Sequence, residues 1–500
     1  MRIAFISSEV YPYMKTGGLA DVSASLPKAL SKLKPAKESS SNGEHDVRII
    51  MPAYPDALAK AKKVMLKLVA DFTYDRTPLK IWQSRLPGSR TLVYLVDADF
   101  FSTREGNPYV DEHGNDWNDN GFRFGFFCKV AKSIALNECF LNWEADLVHC
   151  NDWQTGLVPV FLQQAKSYRS VTPRCLFSIH NIAYTGCFEF PALDGLDIEA
   201  HYLSEHALEF YGRACFLKAG CTQADWISTV SPSYAKEILS AEFAYGMEGV
   251  LQARQDKLSG ILNGIDTQVW NPYKDENIAR TYNLSSLENK KLNRSSLQRR
   301  MKLRRTSREP LFGFIGRLVE QKGVHLILEA LPKFIERGAQ AVILGSGDEY
   351  FEKALEDLAK RFPESVAASI GYDEALSHQI NAGADIFMMP SLFEPCGLNQ
   401  MYALRYGTVP VVHAVGGLRD SVVEQELDIG QADHGTNGFT FTADNDGLQQ
   451  PFENAMRRAA KAYKLKKRWY SIQRNGLTAD LSWKKSAQDY IELYQRLLSL

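Results

Sequence analysis

The sequence predicts an α/β protein of two doubly wound domains, each a parallel sheet covered by helices. Three observations carry this. Short apolar runs rich in Val and Ile recur with helical stretches between them: RIAFIS, VRIIMPAY, LVYLVDAD, DLVHCND and RCLFSIHN in the first half, then LFGFIGR, AVILGSGD, ADIFMMPS and VPVVHAVGG in the second. Strands apolar on both faces belong to parallel sheets buried under helices, and their alternation with helices gives the doubly wound arrangement. At 500 residues the chain is also too long for one ordinary core.

In chain order, MRIAFISSEVYP holds one Arg, a short apolar run and then Glu9. It reads as a first strand, because it lacks the long apolar region and cleavage site of a signal peptide. After KTGGLADV (15–22), Leu19, Val22, Leu26, Ala29, Leu30 and Leu33 fall on one helical face, with Pro27 expected to kink the helix. KPAKESSSNGEHD (34–46) reads as a flexible surface loop. The domain joint is placed near LSGILNGIDTQVW (258–270), where an apolar run ends in Asn-Gly. The expected domains are 1–258 and 265–478, followed by a C-terminal helix over 479–500. Between Lys290 and Arg308 lie nine basic residues, read as a solvated helix and loop rather than a polyanion patch. DLSWKKSAQDYIELYQRLLSL closes the chain as an amphipathic helix.

Composition excludes several classes. Hydrophobic residues make up 45% and charged residues 23%, ordinary for a globular protein. Lys+Arg 58 against Asp+Glu 59 gives a net charge of -1, which argues against non-specific binding to nucleic acid or anionic membrane. No apolar stretch reaches the roughly 18 residues of a membrane span. The eight cysteines include no CxxC pair or zinc-like spacing and read as buried free thiols of a cytoplasmic enzyme.

In open parallel sheets ligands sit beyond the carboxyl ends of the strands, and reactive residues stand where these runs stop. KTGGLADV joins a strand to a helix start through two glycines; such a turn accepts an anion, because free N–H groups and the helix dipole point outward. Lys15 adds a cation. FIGRLVEQKG (314–323) sets Arg317 and Lys322 five residues apart across a turn, a planar donor fork and a mobile ammonium suited to a pyrophosphate. GSGD (345–348) is a weaker glycine turn. In SLFEPCGLNQ (391–400), Glu394 is open to three roles: nucleophile, general base, or acceptor of sugar hydroxyls. His180 and Asn181 end a strand in IHNIAYTG. A lone His there is more often structural, and its strand-end position beside Asn argues the other way.

Together these stretches resemble the bacterial glycogen synthase and plant starch synthase family. SSEVYPYMKTGGLADV, NDWQTGL, HNIAYTG, FLKAG, AYGMEG, LNGID, GRLVEQKG, GYDEALSH, SLFEPCGLNQ and GGLRD all have counterparts in order. The resemblance implies the GT-B fold: two Rossmann-like domains facing a central cleft, with the C-terminal helix crossing back to the first. It implies transfer of glucose from ADP-glucose to the non-reducing end of an α-1,4-glucan, glycogen or a maltooligosaccharide, with retention of configuration. Neither a metal nor another cofactor is expected.

By the same resemblance, Lys15, Gly17 and Gly18 would contact the donor and Asp21 would position Lys15. Arg317 and Lys322 would neutralise the departing diphosphate, with Cys396, Gly397, Leu398 and Asn399 around it. Glu394 would hold the donor glucose, His180 and Asn181 would orient the sugar, and Tyr372 would stack on adenine. Asn263 would lie at the hinge, and Glu9, Asp152 and Trp153 would line the acceptor side. Position 399 is Asn where Thr is frequent in the family, so a hydroxyl contact to phosphate would become an amide one. Asn151 and Gln154 also replace frequent histidines. The alternatives are a related transferase using UDP-glucose or another acceptor, a phosphorylase with pyridoxal phosphate, and a non-catalytic glucan-binding protein.

Overall fold

A computed structural model describes residues 1–33, 45–104, 106–425 and 435–500. Most of the polar stretch read as a surface loop, 34–44, lies outside the described residues. The chain divides into two compact units: Met1–Asn263 with Trp483–Leu500, and Gly264–Ser482.

Among the described residues the first unit holds twelve strands: β1 (Arg2–Ile6), β2 (Asp46–Pro52), β3 (Lys67–Tyr74), β4 (Thr77–Arg85), β5 (Leu92–Asp97), β6 (Leu147–Asn151), β7 (Arg174–Ile179), β8 (Cys187–Phe188), β9 (Glu209–Phe210), β10 (Arg213–Cys215), β11 (Trp226–Thr229) and β12 (Leu258–Gly260). Nine form one sheet in the order β12-β11-β7-β6-β1-β2-β5-β4-β3. The pairs from β12 to β5 are parallel, and β3 and β4 add an antiparallel edge. β8, β10 and β9 make a small separate sheet. The parallel strands are apolar because both their faces are covered; Ile3, Phe5, Ile49, Val148 and Phe177 are fully or almost fully buried.

The second unit holds β13 (Leu311–Ile315), β14 (Gln340–Gly345), β15 (Val366–Ile370), β16 (Ile386–Met389), β17 (Val409–His413) and β18 (Phe439–Phe441). They form a wholly parallel sheet ordered β15-β14-β13-β16-β17-β18. Counted within the unit this is 3-2-1-4-5-6, the dinucleotide-binding arrangement. Its strand order reverses between β13 and β16. In the first unit the corresponding reversal lies between β1 and β6.

Three sequence expectations need adjustment. The helix Gly18–Leu30 runs as one element through Pro27. Two of the nine basic residues are core anchors: Lys290 donates to the carbonyls of Asn381 and Ala382 and to the Thr408 hydroxyl, and Arg294 pairs with Asp385. Burial pulls the Lys290 ammonium down to about 7. The last helix begins at Trp483 rather than 479 and packs in the first unit against Gly18–Leu30. There the Tyr494 hydroxyl meets buried His149 Nδ1 at 2.7 Å, and Ser486 donates to the Leu262 carbonyl at 2.6 Å. No helix among the described residues is long and apolar enough to cross a membrane.

Candidate active site

In the first unit the loops after β1, β6 and β7 converge on the reversal of strand order. Lys15 and Gly17 stand on an exposed turn after β1, and Gly18 opens the helix. Lys15 Nζ pairs with Asp21 Oδ1 at 2.9 Å and lies 5.5 Å from the Tyr11 ring centre. No side chain caps this helix, and a Cβ on Gly17 would meet nothing within 4 Å. Neither packing nor φ demands glycine at 17, so its missing side chain leaves open room above the turn.

Glu9 is placed differently from the expected acceptor wall. It is 3% exposed, and its carboxylate accepts from Thr16 N–H at 2.5 Å, Gly17 N–H at 3.3 Å, Thr16 Oγ1 at 2.6 Å and the Tyr109 hydroxyl at 2.7 Å. It is the internal post on which the KTGG turn is tied. Tyr109 is a site residue that sequence reasoning missed; it lies 100 positions from its partner, and no local pattern marks it.

Asp152, directly after β6, has φ 59 and ψ 178, a region that essentially only glycine visits without strain. Its Oδ1 accepts the backbone N–H of His180 at 2.7 Å and of Asn181 at 3.3 Å, which holds it there. Burial raises its carboxyl to about 7 against an ordinary 3.8. His180 Nε2 meets Asn151 Oδ1 at 2.9 Å, and burial lowers its imidazole to about 4, so it is neutral at physiological pH. Asn181 Oδ1 accepts the Ala183 N–H. Trp153 does not offer a sugar platform: its ring packs among Tyr109, Phe124, Phe188 and Phe216 in an aromatic core. Asn263 ends this unit, buried, with Oδ1 lacking a hydrogen-bond partner.

In the second unit the loops after β13 and β16 meet at the other reversal. Gln321 Nε2 donates to the Phe393 carbonyl at 2.9 Å, and Leu392 N–H donates to the Gln321 carbonyl at 2.8 Å. Gly323 has φ +69, and a Cβ there would lie 2.1 Å from the Pro390 carbonyl oxygen, so only glycine lets the loops close. The closure brings Lys322 Nζ to Glu394 Oε2 at 2.5 Å. Glu394 is 7% exposed, and the Ser391 hydroxyl donates to the same oxygen at 3.0 Å. Ser391 was also missed, although it stands at a strand end, where donors were expected. Arg317 is exposed at the rim and donates to Gln321 Oε1 at 3.1 Å.

Cys396, Gly397 and Leu398 follow in the turn that leads into the helix Asn399–Arg405. Gly397 takes φ +68, and Cys396 is buried. The Asn399 amide donates to the Ile315 carbonyl at 2.8 Å, which ties one of its two N–H donors to the end of β13. Tyr372, beyond β15, is 78% exposed and its hydroxyl donates to Glu374 Oε2 at 2.9 Å.

Known proteins match this arrangement end to end. Residues 2–253 match the starch synthase catalytic domain, and 297–475 match the glycosyl transferases group 1 family. A glycogen synthase of Cellvibrio japonicus is 50% identical over 99% of both chains. The chain belongs to the glycogen and starch synthase family of glucosyltransferases. Another family member, the glycogen synthase of Marinobacter nauticus, is 42% identical over 100% of this chain and 98% of its own. The catalytic domain of starch synthase IV from Arabidopsis thaliana, solved bound to ADP and acarbose, superposes with a TM-score of 0.85 at 33% identity, covering 100% of this chain and 99% of that one. That similarity gives the chain the GT-B fold.

Proposed function

We propose that the protein transfers glucose from ADP-glucose to the non-reducing end of an α-1,4-glucan with retention of configuration. The observation that carries this reading is the placement of cationic residues after the first strand of each unit, at both reversals of strand order, where open α/β sheets take their ligands. The ADP bound to the Arabidopsis starch synthase supports the adenine nucleotide.

The reaction develops charge on a departing diphosphate while the sugar becomes oxocarbenium-like, and preorganised cations lower that barrier. Lys322 gives one of its three ammonium protons to Glu394, which leaves the other two for the diphosphate. Arg317 brings a fork of donors to the same group. Glu394 Oε2 is engaged by Lys322 and Ser391, which leaves Oε1 for a sugar hydroxyl. A carboxylate so tightly paired is a better sugar holder than a covalent nucleophile. Neutral His180, fixed by Asn151 and Asp152, offers a neutral polar edge to the sugar. Lys15, steered by Asp21, and the uncapped helix start at Gly18 would meet the donor from the first unit.

The reaction needs no resident metal or prosthetic group in this reading. The eight free cysteines support a reducing, cytoplasmic setting. The deciding experiment is nucleotide release from ADP-glucose and UDP-glucose, with and without glycogen, after dialysis against a chelator. Glycogen-dependent ADP release with lengthened chains is expected. Release from UDP-glucose alone would overturn the donor assignment, and loss of activity restored by a divalent ion would overturn the metal-free one.

A further inference from the structure

Two thiols beside the site are unaccounted for by glucosyl transfer. β8 and β10 run antiparallel with Cys187 directly opposite Cys215. The next pair along, Gly186 and Phe216, is bridged by Phe216 N–H donating to the Gly186 carbonyl at 3.0 Å. Hydrogen-bonded and non-hydrogen-bonded pairs alternate along such a ladder, so Cys187 and Cys215 occupy a non-hydrogen-bonded pair, where Cα atoms lie about 4.5 Å apart and side chains are closest. That separation falls within the span a disulfide bridges. Both sulfurs also converge on one residue: Cys187 Sγ donates to Thr185 Oγ1 at 3.3 Å, and Cys215 Sγ to the Thr185 carbonyl at 3.4 Å.

We propose that Cys187 and Cys215 are a redox modification site that forms a reversible disulfide when hydrogen peroxide reaches Cys187. Among the eight cysteines Cys187 alone is not buried. The adjacent Cys215 thiol, with further help from Thr185 and Arg213, lowers the Cys187 thiol to about 7, while Cys215 is raised and keeps its proton. The roles of attacking and resolving thiol are therefore assigned. The Cys187 thiolate attacks one peroxide oxygen, the O–O bond breaks, and the hydroxide released takes a proton to become water, leaving a sulfenic acid. The Cys215 sulfur then attacks the sulfenic sulfur, the S–S bond forms, the S–O bond breaks, and the Cys215 proton leaves with that hydroxide as a second water. Two thiols and one peroxide thus become one disulfide and two waters. The bond lies one residue from Gly186, whose Cα packs on the Trp153 ring, and so fastens the segment that leads away from His180 and Asn181.

A second close pair serves as an internal control. Cys150 and Cys175 approach to 3.8 Å, but both are buried in the large sheet and burial raises the Cys150 thiol. The test treats the full chain with dilute hydrogen peroxide, blocks free thiols with iodoacetamide, and maps peptides without reduction. The expected result is a Cys187–Cys215 linked peptide with a loss of two hydrogens, reversed by dithiothreitol. In Cys215→Ser, dimedone is expected to trap a sulfenic acid at Cys187; in Cys187→Ser neither product forms. Recovery of Cys187 and Cys215 as alkylated thiols in the same yield as untreated protein would overturn the proposal. So would a bond that joins Cys150 to Cys175 instead.

Discussion

Lys322, half-buried, and Glu394, buried, make one ion pair, and each is expected to fail in its own way when cut alone. On the proposed reading, Lys322→Ala removes a cation from the leaving group, and it leaves the Glu394 carboxylate without its ion-pair partner. Loss of one preorganised charge-stabilising donor typically costs roughly 10²–10³ in kcat. The expected kinetics are a fall in kcat of that size, with Lys322→Arg recovering part of it; unchanged turnover would remove Lys322 from the reaction. Asp152 gives a prediction in pH. The folded carboxyl keeps its proton to about 7 and the unfolded one releases it near 3.8, so the folded state binds more protons between these values. Stability therefore falls as pH rises through that window, by at most about 1.4 kcal/mol per pH unit, and the loss is complete above about 7. Asp152→Asn, whose amide oxygen can still accept from His180 and Asn181, should lack that slope. Denaturation midpoints of both proteins across the window, compared as a difference, check it. A constant difference would refute the buried carboxylic acid.

The loops after β13 and β16 act as a unit because Gly323 lets them touch. Gly323→Ala places a Cβ in left-handed backbone and against the Pro390 carbonyl, where it cannot fit without a shift. Strain of this kind costs about 1–3 kcal/mol, and relief requires Lys322 to move from Glu394. The variant is expected to melt lower and to lose turnover together. A drop in melting temperature with full kcat would show that the loops need not be zipped for chemistry. At this scale the sequence was most readable in the nine strands buried on both faces, since continuous apolar runs have few other uses. It was least readable in β3 and β4, whose burial is uneven and whose outer residues, such as Lys67 and Asp71, are exposed. The strands β8, β9 and β10 have two or three residues each, too few for any period to register. The site followed the same logic. Residues at the ends of β1, β7, β13 and β16 were singled out by strand ends, glycine turns and residue type together. The supports of Glu9 and Glu394, by contrast, depend on tertiary closure that no local spacing records.

The first unit is completed by the last residues of the chain, which makes its stability a property of the whole molecule. Trp483, Ala487, Tyr490, Leu493, Tyr494 and Leu497 are buried on one face of the final helix. Each large apolar side chain contributes about 1.5–3 kcal/mol on burial, so together they rival the roughly 5–15 kcal/mol by which an ordinary domain is stable. The polar seam adds to this, since removing Tyr494 leaves His149 Nδ1 buried in the sheet without its partner. A chain ending at Ser482 is therefore expected to keep the second unit and lose the first. Hydrogen exchange followed by mass spectrometry separates the two. Amides of β1, β6 and the helix Gly18–Leu30 should exchange fast in the truncated chain, while β13, β14 and β16 stay protected. Glucose transfer should vanish with them, because Lys15 and His180 sit on the unit that opens. Full protection of β1 and β6 in the shortened chain would show that the nine-stranded sheet stands without its C-terminal cover, and that the return of the chain serves something other than stability.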